Sequence, residues 1–151
     1  MNTRNIEQSD LSSVRQLLTD WISDDIEIDE RVDEISQKPQ NFFVAIENES
    51  VVGIMGFKPL DEKIIQFASN PNESIEIVSA FVSRAEKRKG TGKSLVAAIE
   101  SEARRLHFKE ILIWSGPRYR ETGWAFYDNL SGYERVGFVD NEDFPVWKKE
   151  L

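Results

Sequence analysis

Cysteine is absent from the sequence, which excludes disulfides, thiolate metal sites and a cysteine nucleophile together. Histidine occurs once, as His107, so a multi-histidine metal site is excluded too. His107 closes a helical pattern, where a cation or donor complements exposed carbonyls, and capping is its expected role. No apolar run reaches membrane-spanning length. The start, Met1-Asn2-Thr3-Arg4-Asn5, has no apolar segment behind a basic stretch, so the expectation is no signal peptide and a cytoplasmic location. Positive charge is scarce: 19 Lys and Arg stand against 27 Asp and Glu, a formal net charge of −8. Phosphate contacts need a broad basic patch, so nucleic acid is not an expected partner, and neither is a membrane.

What is present is unevenly placed. Residues 20–34 carry eight carboxylates (Asp20, Asp24, Asp25, Glu27, Asp29, Glu30, Asp33 and Glu34) and one cation, Arg31. A solvated face is the plain reading of such a run. The opposite sign gathers in Lys87, Arg88, Lys89 and Lys93, around the start of a helical pattern. Unpaired N–H groups already make a helix start partly positive, so cations are unfavourable there. An anion bound at that point would resolve the conflict, and Gly90 and Gly92 let backbone approach one closely. A phosphate at the N-terminus of a helix beginning near Gly92 is therefore expected.

The remaining pattern reads as one mixed α/β domain over residues 1–151. Residues 3–7 suit a short strand and Asp10 an N-cap, with Ser9 the rival. Leu11, Val14, Leu17, Leu18, Trp21 and Ile22 recur at helical spacing. The acidic segment reads as a loop and a second, shorter helix stopped before Pro39. Residues 42–47 and 51–57 form a hairpin around Asn48-Glu49-Ser50, and 64–67 reads as a short strand in a turn-rich stretch. Residues 75–82, apolar apart from Glu76 and Ser79, resemble a central strand covered on both faces. Leu95, Val96, Ile99, Ala103 and Leu106 mark a helix, and 111–114 a second buried strand parallel to the first. A short aromatic helix over 123–130 and two antiparallel strands, 136–139 and 144–149, close the chain.

Gly90-Thr91-Gly92-Lys93-Ser94 ends like the phosphate loop of nucleotide hydrolases. That motif needs a glycine five positions before Gly92, where Lys87 stands. It also needs a strand aspartate near magnesium, and Ile111-Leu112-Ile113-Trp114-Ser115 has no carboxylate. A dinucleotide fingerprint fails as well. Alone, the loop leaves a plain glycine turn nearly even with an anion site.

The order of elements decides. An apolar strand, the basic loop Lys87-Arg88-Lys89-Gly90-Thr91-Gly92, a helix, a strand and an aromatic helix with Phe126-Tyr127 resemble the GNAT superfamily of acyl-CoA-dependent N-acetyltransferases. That family's loop is Arg or Gln, two residues, Gly, one residue, then Gly or Ala, and Lys87 departs at its first place. The first helix, the hairpin and the terminal strands also fall in the family's order. The resemblance implies a GNAT-like fold: a central mixed sheet of six or seven strands, flanked by helices and splayed between the 75–82 and 110–115 strands. It implies acetyl-CoA as co-substrate, without a metal. Backbone and cations of Lys87, Arg88, Lys89, Gly90, Thr91, Gly92, Lys93 and Ser94 would cradle the pyrophosphate. The pantetheine arm would pair with main chain at Ala80 and Val82, and the Phe81 amide would face the oxyanion.

Amide formation from a thioester needs a general base and a general acid. The resemblance gives the acid to Tyr127. Two departures accompany it: Arg120 stands seven positions earlier, where asparagine is common, and the turn Leu130-Ser131-Gly132-Tyr133 is one residue longer than the family's common form. Glu76 matches a catalytic glutamate of the histone-acetylating branch, and a carboxylate in an apolar strand has its pKa raised by desolvation. A water-facing Glu76 at the strand's start is the competing reading, and many members use a water chain as base. The acidic 20–34 segment would border the acceptor site and draw in an amine such as a polyamine, an aminoglycoside or a lysine side chain. The implied function is acetyl transfer to a primary amine, small-molecule or peptidyl, in a ternary complex, with a homodimer admitted. A non-catalytic acyl-CoA-binding module on the same fold is the alternative.

Overall fold

The computed structural model describes residues 1–86 and 89–151. Its strands are β1 (Asn2–Asn5), β2 (Phe42–Glu47), β3 (Ser50–Pro59), β4 (Ser74–Val82), β5 (Glu110–Trp114), β6 (Glu134–Phe138) and β7 (Pro145–Glu150). Its helices are α1 (Leu11–Leu18), α2 (Asp25–Gln37), α3 (Thr91–Arg105) and α4 (Gly123–Asp128). The strands hydrogen-bond as one seven-stranded sheet in the order β1-β2-β3-β4-β5-β7-β6. β1–β2, β2–β3, β5–β7 and β6–β7 pair antiparallel, whereas β4–β5 pairs parallel, so the sheet is mixed as expected. Two compact units make up the chain: Met1–Phe57 with Val78–Ile99, and Lys58–Ile77 with Glu100–Leu151.

In the first unit, Val14, Leu17 and Leu18 of α1 and Ile28, Val32 and Ile35 of α2 are buried, one apolar stripe per helix. The second helix is the longer, 13 residues against 8, contrary to the sequence expectation. Trp21 and Ile22 keep the apolar rhythm of α1, but the chain has already left the helix, and both their amides bond the Leu18 carbonyl. The acidic residues lengthen α2. Asp24 caps it by accepting the Ile26 N–H at 3.0 Å, and Asp25 and Glu27 complement the dipole in its first turn. Asp10 does not cap α1 with its side chain. Its carboxylate takes the Glu7 N–H at 2.8 Å and both arms of the Arg4 guanidinium, at 2.7 and 3.1 Å. The hairpin closes through two residues, Asn48 and Glu49, both at positive φ, between Glu47 and its partner Ser50. Gly53 of β3 lies under the start of α3. A Cβ there would stand 2.9 Å from Leu95 Cδ1 and 2.9 Å from Thr91 Cγ2, so a missing side chain sets how closely the helix approaches.

In the second unit, Ile64, Leu112, Val139 and Val146 form a buried cluster, with Leu60, Phe67, Trp114 and Phe144 packed around it. The expected strand at 64–67 is instead a 3-10 turn, Ile65–Phe67. Ile64 and Phe67 both meet the cluster, and a spacing of three puts them on one side of a turn, not of a strand. Glu110 is only 2 % exposed. Its Oε1 accepts the Ser69 N–H at 2.6 Å and the Ser74 hydroxyl at 2.8 Å, tying the turn before β4 to β5. His107 does end α3, but through its backbone. It sits at φ +68, with its N–H on the Arg104 carbonyl and the Phe108 N–H on the Ala103 carbonyl, the closing pair of a Schellman motif.

Candidate active site

α3 starts as an anion site should. Gly90 lies at φ +81, and its carbonyl accepts the first helical bond, from Ser94 N–H at 3.0 Å. The amides of Thr91, Gly92 and Lys93 precede that bond, so the helix offers them no partner. A Cβ built on Gly90 would meet nothing within 4 Å, so the approach is open. The Thr91 side chain points inward, 1 % exposed, and the Ser94 hydroxyl is 2.6 Å from that of Thr3. Lys93 is exposed, and Lys89 pairs with Glu86 at 3.4 Å. Unpaired amides at a helix start, an exposed lysine and an open glycine are the chemistry that an anion requires. Lys87 and Arg88 lie outside the described residues.

β4 supplies the second feature. Its parallel register with β5 runs from Ser74↔Glu110 to Glu76↔Leu112 and ends there, while β4 itself continues to Val82. Within that continuation Ser79 adopts φ +52, a left-handed conformation that costs a non-glycine residue about 1–2 kcal/mol. Two clamps hold the strand here. Arg31 of α2 donates from Nη1 to Ser79 Oγ at 3.1 Å and lays its guanidinium 5.3 Å from the centre of the Phe81 ring. Trp21 donates its indole N–H to the Val82 carbonyl at 2.9 Å. That carbonyl keeps a second lone pair for a ligand amide. Arg84 then stacks over Trp21 at 4.0 Å and bonds the Asp20 carbonyl through Nε at 3.0 Å. The end of β4 is thus fastened to the exit of α1. The sequence pattern placed Trp21 only on an apolar helix face and left this clamp unseen; an indole beyond the last helical turn was the available signal.

Glu76 is 2 % exposed and does not face water. Oε1 accepts the Asp61 N–H at 2.6 Å, and Oε2 accepts the Trp114 indole N–H at 3.0 Å. Burial raises its pKa above the ordinary carboxyl value, and the Asp61 amide, Lys58 and the Trp114 indole offset part of that rise.

Tyr127 is 8 % exposed on α4, its ring 5.0 Å from Trp147 and 5.5 Å from Phe126. Among the described residues its hydroxyl has no hydrogen-bond partner. Burial pushes the phenol well above its usual pKa, so it holds its proton across the working range. The next residue locks the helix. Asp128 takes Arg135 through two bonds, at 2.7 and 2.9 Å, and the Trp147 indole at 3.0 Å. Arg120 is committed to Asp143 and stacks 4.8 Å from the Trp124 ring. The other buried tyrosine of this region, Tyr133, spends its proton on Glu100 Oε2 at 2.9 Å, where Lys149 also binds.

Residues 4–133 match the sequence profile of the Acetyltransferase (GNAT) family. The chain is 25 % identical over 115 residues to human N-acetyltransferase 8, covering 76 % of this chain and 46 % of that protein. It therefore spans about half the length of that curated relative. A GNAT-family acetyltransferase from Staphylococcus aureus Mu50 superposes with a TM-score of 0.78 at 17 % identity, over 99 % of this chain and 98 % of that one. The yncA structure from Salmonella typhimurium, solved with acetyl-CoA, gives 0.75 at 17 % identity, over 100 % and 94 %. These structures share the fold, and the profile covers well over half of the sequence: the chain belongs to the acetyltransferase (GNAT) family.

Proposed function

We propose that this protein moves an acetyl group from acetyl-CoA to a primary amine by direct attack, with both substrates bound together. The observation that carries this reading is the start of α3, where amides precede the first helical bond behind an open Gly90 at φ +81. The acetyl-CoA held by the Salmonella relative supports the choice of donor. The thioester supplies an activated acetyl group. The amides of Thr91, Gly92 and Lys93 hold the pyrophosphate, with Lys89 and Lys93 beside it. Main chain at Ala80 and Val82 orients the arm, and the Phe81 amide stabilises the carbonyl oxygen as it gains charge. The amine nitrogen bonds to the acetyl carbon while the carbon–sulfur bond breaks. Glu76 accepts a proton from the amine, Tyr127 gives one to the departing sulfur, and the surplus proton leaves to solvent.

Free-thiol release on mixing protein, acetyl-CoA and a panel of primary amines tests the proposal. Release that depends on the amine supports it. A melting shift with coenzyme A but no release with any amine points to a binding module instead.

The raised pKa of Glu76 gives a second expectation. As a base it must be ionised, so kcat/KM falls as pH drops through its raised pKa, above the ordinary value of about 4.3. Stability runs the other way. Below the ordinary value, folded and unfolded chains are both protonated. Between the ordinary and the raised value the fold binds the proton more tightly, so stability is lost as pH rises through that window. Glu76→Gln should remove both trends. An unchanged acidic limb in that variant would exclude Glu76 as the base.

A further inference from the structure

Arg31 is the lone cation among eight carboxylates, yet among the described residues it makes no ion pair with any of them. Two of those carboxylates are engaged elsewhere: Asp29 pairs with Arg15, and Asp20 takes the Arg84 N–H. Arg31 instead reaches from α2 to β4, where a neutral hydroxyl, Ser79 Oγ, takes one donor and the Phe81 ring lies under the plane. Its Nε is buried without a hydrogen-bond partner. A guanidinium carries five N–H donors, and a buried one without an anion costs free energy. That cost persists where an anion arrives from outside. The side chain is only partly buried, so a ligand can reach the fork.

We propose that Arg31 binds a carboxylate carried by the acceptor, so that the acceptor joins a primary amine and a carboxylate in one molecule. This rests on the acetyltransferase reading, because Ser79 and Phe81 belong to the stretch of β4 assigned to the acetyl end of the donor. The flat fork suits a carboxylate, which it can bind through two parallel bonds. The surroundings narrow the choice. One cation inside an acidic segment complements a zwitterion, whose ammonium is drawn to the surrounding carboxylates while its own carboxylate meets Arg31. A phosphate dianion is repelled by that segment, and a polyamine brings Arg31 no anion.

Thiol release with matched probes tests this: a panel of L-amino acids, the same amino acids as carboxamides, their glycine-extended dipeptides, and spermidine. The wild-type kcat/KM for the best amino acid or dipeptide should exceed that of its carboxamide by roughly 10- to 100-fold. The dipeptides move the carboxylate away from the amine and so separate a free amino acid from a peptide as its source. Arg31→Gln should collapse the ratio towards one, a readout from which any loss common to both probes, such as weaker coenzyme binding, cancels. Arg31→Lys keeps charge without the fork and should retain part of the ratio; it decides the matter if Arg31→Gln does not fold. Carboxamides or spermidine matching the amino acids in the wild type, or a preference surviving both substitutions, overturns the inference and leaves the acetyltransferase reading standing. Absence of thiol release with every amine overturns both.

Discussion

Gly90→Glu is expected to abolish coenzyme A binding, by roughly 100-fold or more in affinity, while the chain still folds. The cost to the fold is confined to the backbone. Gly90 holds φ +81, so a side chain adds strain of about 1–2 kcal/mol, but the new Cβ meets no atom within 4 Å. The cost to binding is larger, because bulk and a negative charge enter where a pyrophosphate must meet the amides of residues 91–93. Gly90→Asn separates the two effects, since asparagine tolerates the left-handed region and brings no charge. Titration calorimetry with coenzyme A should show weakened binding for Asn and none for Glu. Wild-type affinity in Gly90→Glu would mean that the coenzyme does not use this helix start.

Tyr127→Phe should lower kcat by about 100-fold and leave coenzyme affinity and melting temperature nearly unchanged. The hydroxyl has no hydrogen-bond partner among the described residues, so removing it strands no donor or acceptor and keeps the packing against Trp147. Its raised pKa also defines how it acts. A phenol that clings to its proton is a weak acid, so in the proposed reaction it would contribute chiefly as a hydrogen-bond donor whose proton moves once the sulfur has taken up charge. Tyr133→Phe is the informative contrast. It loses the bond to Glu100 and should cost stability more than turnover. Full kcat in Tyr127→Phe would remove Tyr127 from the chemistry.

The parts of the fold that the sequence revealed are those where one physical signal dominates. The apolar run of β4, the period of α3 and the hairpin ending at Asn48-Glu49 each follow from burial or from a turn's need for positive φ. The start of α3 was legible because a glycine, here Gly90 at positive φ, stands directly before an apolar helical period. What stayed hidden depends on distant partners. The length of α2 rests on acidic residues acting as cap and first turn, which charge counting alone reads as a solvated face. The burial of Glu76 depends on Asp61 and Trp114, which claim its two oxygens from 15 and 38 positions away. The turn at Ser79 carries no glycine to announce it, and the Trp21 and Arg31 clamps join residues 61 and 48 positions apart.

Gly53 has no side chain to offer a substrate, yet it sets the level at which the α3 amides stand above the sheet. Adding one methyl group there requires Leu95 or Thr91 to move. Thr91 also carries the first of those amides, so the displacement would reach the proposed phosphate site directly. Tolerance to substitution in this chain should therefore follow mechanical connection to the helix start and not nearness to the coenzyme. Random mutagenesis scored for donor binding should mark position 53 as intolerant, although it lies 37 residues upstream of Gly90.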